Sequence, residues 1–173
     1  MNVLELFQPI TTFAFDVDGV LTDGSLLILP EGEFVRRMNI KDGYALQLAV
    51  KKGYHVVIIS GSYSAAVEQR LNSLGIDDVF QKVDDKQQKL LEYMQHHNLK
   101  KEEVLFMGDD VPDYTAMKEA GLACCPIDAV SDIRHMAQYI SLFRGGEGCV
   151  RDVIEKVLRL HKHWELGSGI SSV

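Results

Sequence analysis

The chain has 173 residues, of which 46% are hydrophobic and 25% are charged, as in an ordinary globular protein. Its formal net charge of −7 argues against nucleic-acid binding, which needs a basic stripe, and against binding to an anionic membrane surface. The sequence contains no apolar run of membrane-spanning length, no secretion signal at its start and only three cysteines, two of them adjacent. We therefore expect a cytoplasmic protein with a single domain over residues 1–166 and a flexible Gly/Ser tail over residues 167–173.

Short apolar runs alternate with helical patterns along the chain. The apolar runs predict buried strands over residues 12–15, 55–59, 79–83, 104–107 and 122–125. The helical patterns predict helices over residues 43–52, 64–74, 86–98, 114–120 and 149–163. Continuous apolar strands are typical of a sheet that is covered on both faces. The sequence therefore predicts an α/β fold, a Rossmann-like parallel sheet sandwiched by helices.

One segment after the first strand breaks this alternation. Two apolar stretches, residues 26–29 and 34–38, are separated by the turn sequence Pro-Glu-Gly-Glu. This pattern predicts a β-hairpin. We call residues 24–38 the flap.

The strongest chemical signal is the pair Asp16 and Asp18, directly after the first strand. Side chains two residues apart on a strand point to the same side, so both carboxylates can address one ligand. A polar loop that merely ends the strand is the alternative, and for an isolated Asp-x-Asp it is the commoner one.

Polar residues also follow other predicted strands, and they favour a ligand site over a polar loop as the interpretation of Asp16 and Asp18. Ser60 and Gly61 follow the second strand, Lys86 starts a later helix, and residues 108–113 read Gly-Asp-Asp-Val-Pro-Asp. Parallel strands would bring these groups to one rim, where two carboxylates 4 Å apart repel by about 4 kcal/mol. A hard cation relieves that repulsion, and an all-oxygen ligand set favours Mg²⁺ over Zn²⁺.

Such a rim suits a phosphate group. Ser60, Lys86 and backbone amides could hold the phosphate oxygens, and Asp16 could attack phosphorus as a nucleophile. Asp18 could protonate the leaving oxygen and then activate water, a role that needs a raised pKa.

These motifs, in this order, resemble the haloacid dehalogenase-like phosphohydrolase superfamily. The resemblance implies that Asp16 forms an aspartyl-phosphate, that Asp18 is the general acid/base, and that Ser60, Gly61 and Lys86 bind phosphate. It also implies Mg²⁺ bound by Asp16, the backbone carbonyl of Asp18, and Asp109, with Asp113 (or, as the alternative, Asp110) reaching the metal through water.

The resemblance narrows to the capless 3-deoxy-D-manno-octulosonate 8-phosphate (KDO 8-phosphate) phosphatases. Residues 19–41 are too few for a large cap domain, and residues 39–44, residues 145–152 and the tail are similar to that subgroup. The similarity implies a Mg²⁺-dependent homotetramer that serves lipopolysaccharide biosynthesis. It also implies that the subunits bring their hairpins together and that a neighbour's tail can cover the active site.

The chain departs from this subgroup at Ser62, where members often carry arginine. A guanidinium suits a sugar-acid carboxylate better than a hydroxyl does, so a 2-keto-3-deoxynononate 9-phosphate remains an alternative substrate. Other functions left open are a phosphoacceptor signalling domain and a non-catalytic regulator. Further substrate-binding candidates are Thr22, Lys41, Asp42 and Arg70. As alternatives, Thr22 could orient its loop, and Lys41 and Asp42 could simply start a helix. Arg70 could be an exposed helical residue.

Overall fold

The computed structural model describes residues 2–167 and 169, so most of the predicted tail lies outside the described residues. The strands are β1 (Thr12–Phe15), β2 (Leu27–Ile28), β3 (Phe34–Val35), β4 (His55–Ile59), β5 (Asp78–Phe80), β6 (Val104–Met107), β7 (Leu122–Cys125) and β8 (Tyr139–Ile140). The helices are α1 (Val3–Phe7), α2 (Ile40–Lys51), α3 (Ala65–Ser73), α4 (Lys86–His96), α5 (Tyr114–Glu119), α6 (Ser131–Met136) and α7 (Cys149–Leu160). Short 3₁₀ turns cover Lys101–Glu103 and Val111–Asp113.

Six strands form one parallel sheet in the order β5-β4-β1-β6-β7-β8, with helices on both faces. Successive residues of β1 face opposite sides. Phe13 and Phe15 belong to the core under α2 and α7, whereas Ala14 belongs to the core under α4 and α5. Burial on both faces explains why the strands read as continuous apolar runs. The predicted parallel α/β sheet sandwiched by helices is confirmed.

Several predicted boundaries were wrong by a few residues. Helix α2 starts at Ile40 rather than at residue 43, because the Asn39 side chain accepts hydrogen bonds from the Lys41 and Asp42 amides and caps the helix there. Strand β5 ends at Phe80 rather than at residue 83. The prediction missed α1, α6 and β8, which have two to six residues each and are too short for a periodic pattern.

The predicted hairpin is confirmed, and no large cap domain interrupts the fold over residues 2–167. Strands β2 and β3 pair antiparallel within the flap, with Leu27 opposite Val35. The flap is apolar yet exposed, and Leu27 and Ile28 each keep about two thirds of their surface open, at 63% and 67%. All three cysteines are buried and free. Within the described part of the chain, no helix has both the length and the apolar character to cross a membrane.

Candidate active site

The sheet register brings the predicted strand-end residues to one edge. Strand β1 lies between β4 and β6, and Phe15 is level with Ile58 and Met107. Asp16, Ser60 and Gly108 therefore leave three adjacent strands at nearly the same height. A cleft of about 290 Å³ opens at this edge. Its lining includes Asp16, Asp18, Ser60, Gly61, Lys86, Asp109 and Asp113. The shared rim expected from the sequence is present in the fold.

The loop after β1 is shaped to let Asp109 approach. Gly19 has a positive φ of 88°, and a Cβ atom there would lie 2.0 Å from Asp109 Oδ2. The buried Thr22 hydroxyl accepts hydrogen bonds from the amides of Gly19 and Gly24. Thr22 therefore orients the loop through its hydroxyl, which is the alternative to substrate binding that the sequence left open for this residue.

A second glycine-rich loop supports the first from outside. The amide of Gly146 donates to the Val20 carbonyl at 2.9 Å. A Cβ atom on Gly145 would lie only 1.9 Å from the Gly19 carbonyl oxygen. The Gly-Gly pair at residues 145–146 thus packs directly against the loop that carries Asp18.

Three carboxylates meet at the base of the cleft. Asp16, Asp109 and Asp113 each place one oxygen within 4.8 Å of the others. Asp113 is 1% exposed, and its Oδ2 accepts hydrogen bonds from the amides of Asp109 and Asp110 at 3.0 and 3.3 Å. Asp109 Oδ1 is buried and has no hydrogen-bond partner among the described residues. The cluster concentrates negative charge where burial makes that charge costly.

Lys86 partly neutralises this cluster. Asp85 caps α4 by accepting a hydrogen bond from the Gln88 amide, which fixes Lys86 as the first residue of the helix. The Lys86 Nζ atom lies 2.8 Å from Asp16 Oδ1 and 2.7 Å from Asp113 Oδ1. Burial acts to lower the pKa of Lys86, but the charges of Asp16 and Asp113 outweigh it and the pKa is raised. Lys86 is therefore a cation at the bottom of the cleft.

One lysine does not compensate all three carboxylates. Burial, with the nearby charge of Asp113, raises the pKa of Asp16 to about 7. Burial, with the charges of Asp113 and Asp16, raises the pKa of Asp109 to about 8. A divalent cation would relieve this repulsion and give the orphaned Asp109 oxygen a partner. The oxygen-only residues present thus fit a hard divalent metal ion.

Asp18 is held by two residues that the sequence analysis did not connect with it. Arg36 of the flap donates from Nε to Asp18 Oδ1 at 2.6 Å and from Nη2 to Oδ2 at 3.3 Å. The Ser62 hydroxyl donates to Asp18 Oδ2 at 2.7 Å. Burial acts to raise the pKa of Asp18, but the hydrogen bonds from Arg36 and Ser62 outweigh it and the pKa is lowered. The raised pKa expected for a general acid is thus not found in this arrangement, because a guanidinium stabilises the carboxylate.

Three substrate-binding candidates lie away from the cleft. Asp42 is 1% exposed, and its Oδ1 accepts a hydrogen bond from the Arg151 amide at the start of α7. Burial raises the pKa of Asp42 to about 6. Lys41 is exposed and lines a different cavity, beside Arg151. Arg70 lines a neighbouring cavity between the flap and α3. Asp42 thus joins α2 to α7 rather than facing a ligand.

Comparisons with known proteins agree with this geometry. A family model described as haloacid dehalogenase-like hydrolase matches residues 39–121. The 3-deoxy-D-manno-octulosonate 8-phosphate phosphatase KdsC of Yersinia pestis is 31% identical over 98% of this chain and 91% of its own length.

Solved structures with a similar fold include phosphatases of the same name. A crystal structure of the phosphatase of that name from Yersinia pestis has a TM-score of 0.90 and 30% identity, covering 93% of this chain and 87% of its own. The phosphatase of that name from Moraxella catarrhalis, in complex with magnesium ion, phosphate ion and KDO, has a TM-score of 0.88 and 33% identity, covering 91% of both chains.

Proposed function

Since the chain belongs to the haloacid dehalogenase-like hydrolases and is a phosphoric monoester hydrolase, we propose that it hydrolyses a 3-deoxy-ulosonate phosphate. The substrate that we propose is KDO 8-phosphate, cleaved to KDO and phosphate, because similar proteins are named as phosphatases of this compound. The observation that carries the proposal is the cleft in which Asp16, Asp18, Ser60 and Lys86 converge beside three further aspartates.

The proposed reaction has two steps. A carboxylate oxygen of Asp16 attacks phosphorus, the bond from phosphorus to the sugar oxygen breaks, and an aspartyl-phosphate forms. Asp18 gives its proton to the leaving sugar oxygen, a role that requires its carboxylate first to be released from Arg36 and protonated. Asp18 then takes a proton from water, whose oxygen attacks phosphorus, so that phosphate leaves and the Asp16 carboxylate is restored.

The remaining residues bind and orient the phosphate. Ser60, Gly61 and Lys86 all line the cleft. In the proposed complex the Ser60 hydroxyl and the Gly61 amide donate to the phosphate oxygens, and the Lys86 ammonium compensates the phosphate charge. We further propose Mg²⁺ as the metal, bound by Asp16, Asp109 and the backbone carbonyl of Asp18, with Asp113 reaching it through water. When bound, the ion supplies positive charge that lets an anionic nucleophile meet an anionic phosphate.

The assembly and the cellular location are proposed from the family resemblance of the sequence motifs. We propose a cytoplasmic homotetramer that serves lipopolysaccharide biosynthesis, with hairpins of different subunits in contact. The exposed apolar side chains of Leu27, Ile28 and Phe34 support such a contact, since exposed apolar patches often mark interfaces. Closure of a site by a neighbour's tail stays a prediction.

A substrate profile tests the proposal. Phosphate release is measured with KDO 8-phosphate, 2-keto-3-deoxynononate 9-phosphate and p-nitrophenyl phosphate, with Mg²⁺ and with EDTA. We expect the highest kcat/KM for KDO 8-phosphate, loss of activity in Asp16→Asn, and full activity in Asp132→Asn on the exposed start of α6. Full turnover by Asp16→Asn would refute the mechanism, and a stable phosphoaspartate without turnover would favour a signalling domain. A preference for the nine-carbon ester would move the assignment to the alternative substrate.

A further inference from the structure

Ser62 lies between the serine proposed to bind phosphate and the aspartate proposed to act as acid and base. Its hydroxyl donates a hydrogen bond to Asp18 Oδ2 at 2.7 Å. Its Oγ lies 3.1 Å from the Oγ of Ser60, and its amide donates to that same Ser60 oxygen at 3.3 Å. A short chain of hydroxyl groups therefore joins Ser60 to Asp18 along the wall of the cleft.

The backbone fixes the place of Ser62 independently of its hydroxyl. The Ser60 amide donates to the Phe80 carbonyl at 2.9 Å, and the Val83 amide donates to the Ser60 carbonyl at 3.0 Å. The Lys82 amide donates to the Ser62 carbonyl at 3.1 Å. These three bonds tie the loop after β4 to the end of β5 and the segment that follows it. Removal of the Ser62 hydroxyl should therefore leave the loop in place.

The direction of each hydrogen bond follows from the donors that are available. A carboxylate only accepts, so the single hydroxyl hydrogen of Ser62 is used on Asp18. Ser60 is then the donor in the contact between the two hydroxyl groups. The Ser60 hydrogen can therefore turn to a phosphate oxygen without breaking the bond between Ser62 and Asp18.

The two carboxylate oxygens of Asp18 have different partners. Arg36 Nε donates to Oδ1 at 2.6 Å, whereas the Ser62 hydroxyl donates to Oδ2, from which Arg36 Nη2 is 3.3 Å away. A guanidinium has donors but no acceptor, so Arg36 has to leave Oδ1 before that oxygen can carry a proton. The Ser62 bond can persist through this change, because the unprotonated oxygen of a carboxyl group still accepts a hydrogen bond.

We propose that Ser62 is a positioning residue that holds Asp18 Oδ2 throughout the reaction, so that Oδ1 is the oxygen that transfers the proton. This inference rests on the proposed function and adds to it the residue that orients the acid/base group. In the first step the bond from Oδ1 to hydrogen breaks as the hydroxyl group of the sugar product forms. In the second step a water O–H bond breaks and Oδ1 takes that proton. The Ser62 hydrogen stays on Ser62 in both steps.

The test uses phosphate esters that differ in how much their leaving oxygen needs a proton. KDO 8-phosphate releases a sugar alkoxide and phenyl phosphate a phenolate, whereas p-nitrophenyl phosphate releases a stabilised anion that leaves without a proton. The readout is kcat/KM, which reports the step in which the leaving group departs. We expect Ser62→Ala to lower kcat/KM about 30-fold for KDO 8-phosphate, about 5-fold for phenyl phosphate and less than about 2-fold for p-nitrophenyl phosphate.

Three further variants control for size, for folding and for the loss of any serine hydroxyl. Ser62→Thr keeps the hydroxyl and should restore the order and spacing of the three values to those of wild type. Ser62→Cys is a weaker donor of similar size, and it covers the case in which thermal unfolding shows that Ser62→Ala does not fold; its losses should be intermediate. Ser73→Ala removes an exposed hydroxyl that donates to the Arg70 carbonyl within α3, and it should leave all three values unchanged.

The pattern of losses separates positioning of Asp18 from a merely structural role. Equal losses for all three esters would overturn the inference, because they would place the effect of Ser62 on the loop or on phosphate binding by Ser60. An unchanged kcat/KM for KDO 8-phosphate in Ser62→Ala would also overturn it, and so would a Ser62→Thr profile equal to that of Ser62→Ala.

Failure of the proposed function gives a different result. A wild type that hydrolyses the two aryl esters but not KDO 8-phosphate would refute the substrate assignment, and the ratio between the aryl esters would still decide the role of Ser62. A wild type that releases phosphate from none of the three esters would refute the proposed function and this inference with it.

Discussion

Replacement of Lys86 by methionine tests whether this ammonium group compensates the acidic cluster. Lys86 is 6% exposed, and its partners Asp16 and Asp113 are 10% and 1% exposed. At 2.8 Å and an effective dielectric of 20, one such contact is worth about 6 kcal/mol before desolvation is subtracted. Removal of one partner from a buried ion pair typically lowers the free energy of unfolding by about 3–5 kcal/mol. We expect a loss in that range for Lys86→Met.

The stability deficit of Lys86→Met should also depend on pH. The pKa of Asp16 is already raised from 3.8 to about 7 in the folded protein, so its ionisation reduces stability as pH rises through that interval. Without Lys86, the pKa of Asp16 should rise further, because the ammonium group acts to lower it. The stability deficit of Lys86→Met should therefore be larger at pH 8 than at pH 5, where protons neutralise the carboxylates.

Urea unfolding followed by circular dichroism, in EDTA at pH 5 and pH 8, measures this deficit. Lys89→Met is the matched control, because Lys89 lies one turn further along α4 and its one ion pair among the described residues is with the exposed Glu92. The control should change stability by less than about 1 kcal/mol. For Lys86→Met we also expect kcat/KM to fall about 100-fold or more. A deficit below 1 kcal/mol, or one that is equal at both pH values, would refute the reasoning.

Three further predictions concern the cluster and its surroundings. Gly19→Ala should abolish activity by displacing Asp109, whereas Gly53→Ala, with nearly the same positive φ but no atom within 4 Å, should cost only about 1–2 kcal/mol of stability and leave kcat unchanged. Equal kcat loss in both would contradict this. Between pH 4 and pH 7.5, wild type should lose about 2 kcal/mol more stability than Asp42→Asn in urea unfolding, because the folded pKa of Asp42, about 6, lies above the ordinary value of 3.8. Parallel stability curves for the two proteins would contradict this. Mg²⁺ should raise the melting temperature of EDTA-treated protein more at pH 9 than at pH 7, because the Asp109 pKa of about 8 makes protons compete with the metal; no such trend, or its persistence in Asp109→Asn, would argue against the site.

The sequence determined the parts of this protein that depend on local pattern. Continuous apolar runs between helical segments predicted a parallel sheet buried on both faces. Once the sheet is parallel, residues that follow β1, β4 and β6 must share an edge, so Asp16, Ser60 and Asp109 could be brought together without coordinates. The hairpin was equally readable, from two apolar stretches around a turn.

Only the tertiary structure decided which charges meet. Arg36 lies 18 residues from Asp18, on a hairpin whose docking angle no periodicity encodes, and its pairing lowers a pKa that the mechanism expects to be raised. The sequence left Asp42 open between a residue that starts a helix and one that contacts substrate, and the packing of α2 against α7 buries it. The strands and helices follow from short-range burial patterns. These contacts depend instead on how separate elements pack in space, because charge interactions change steeply with distance and solvent exposure.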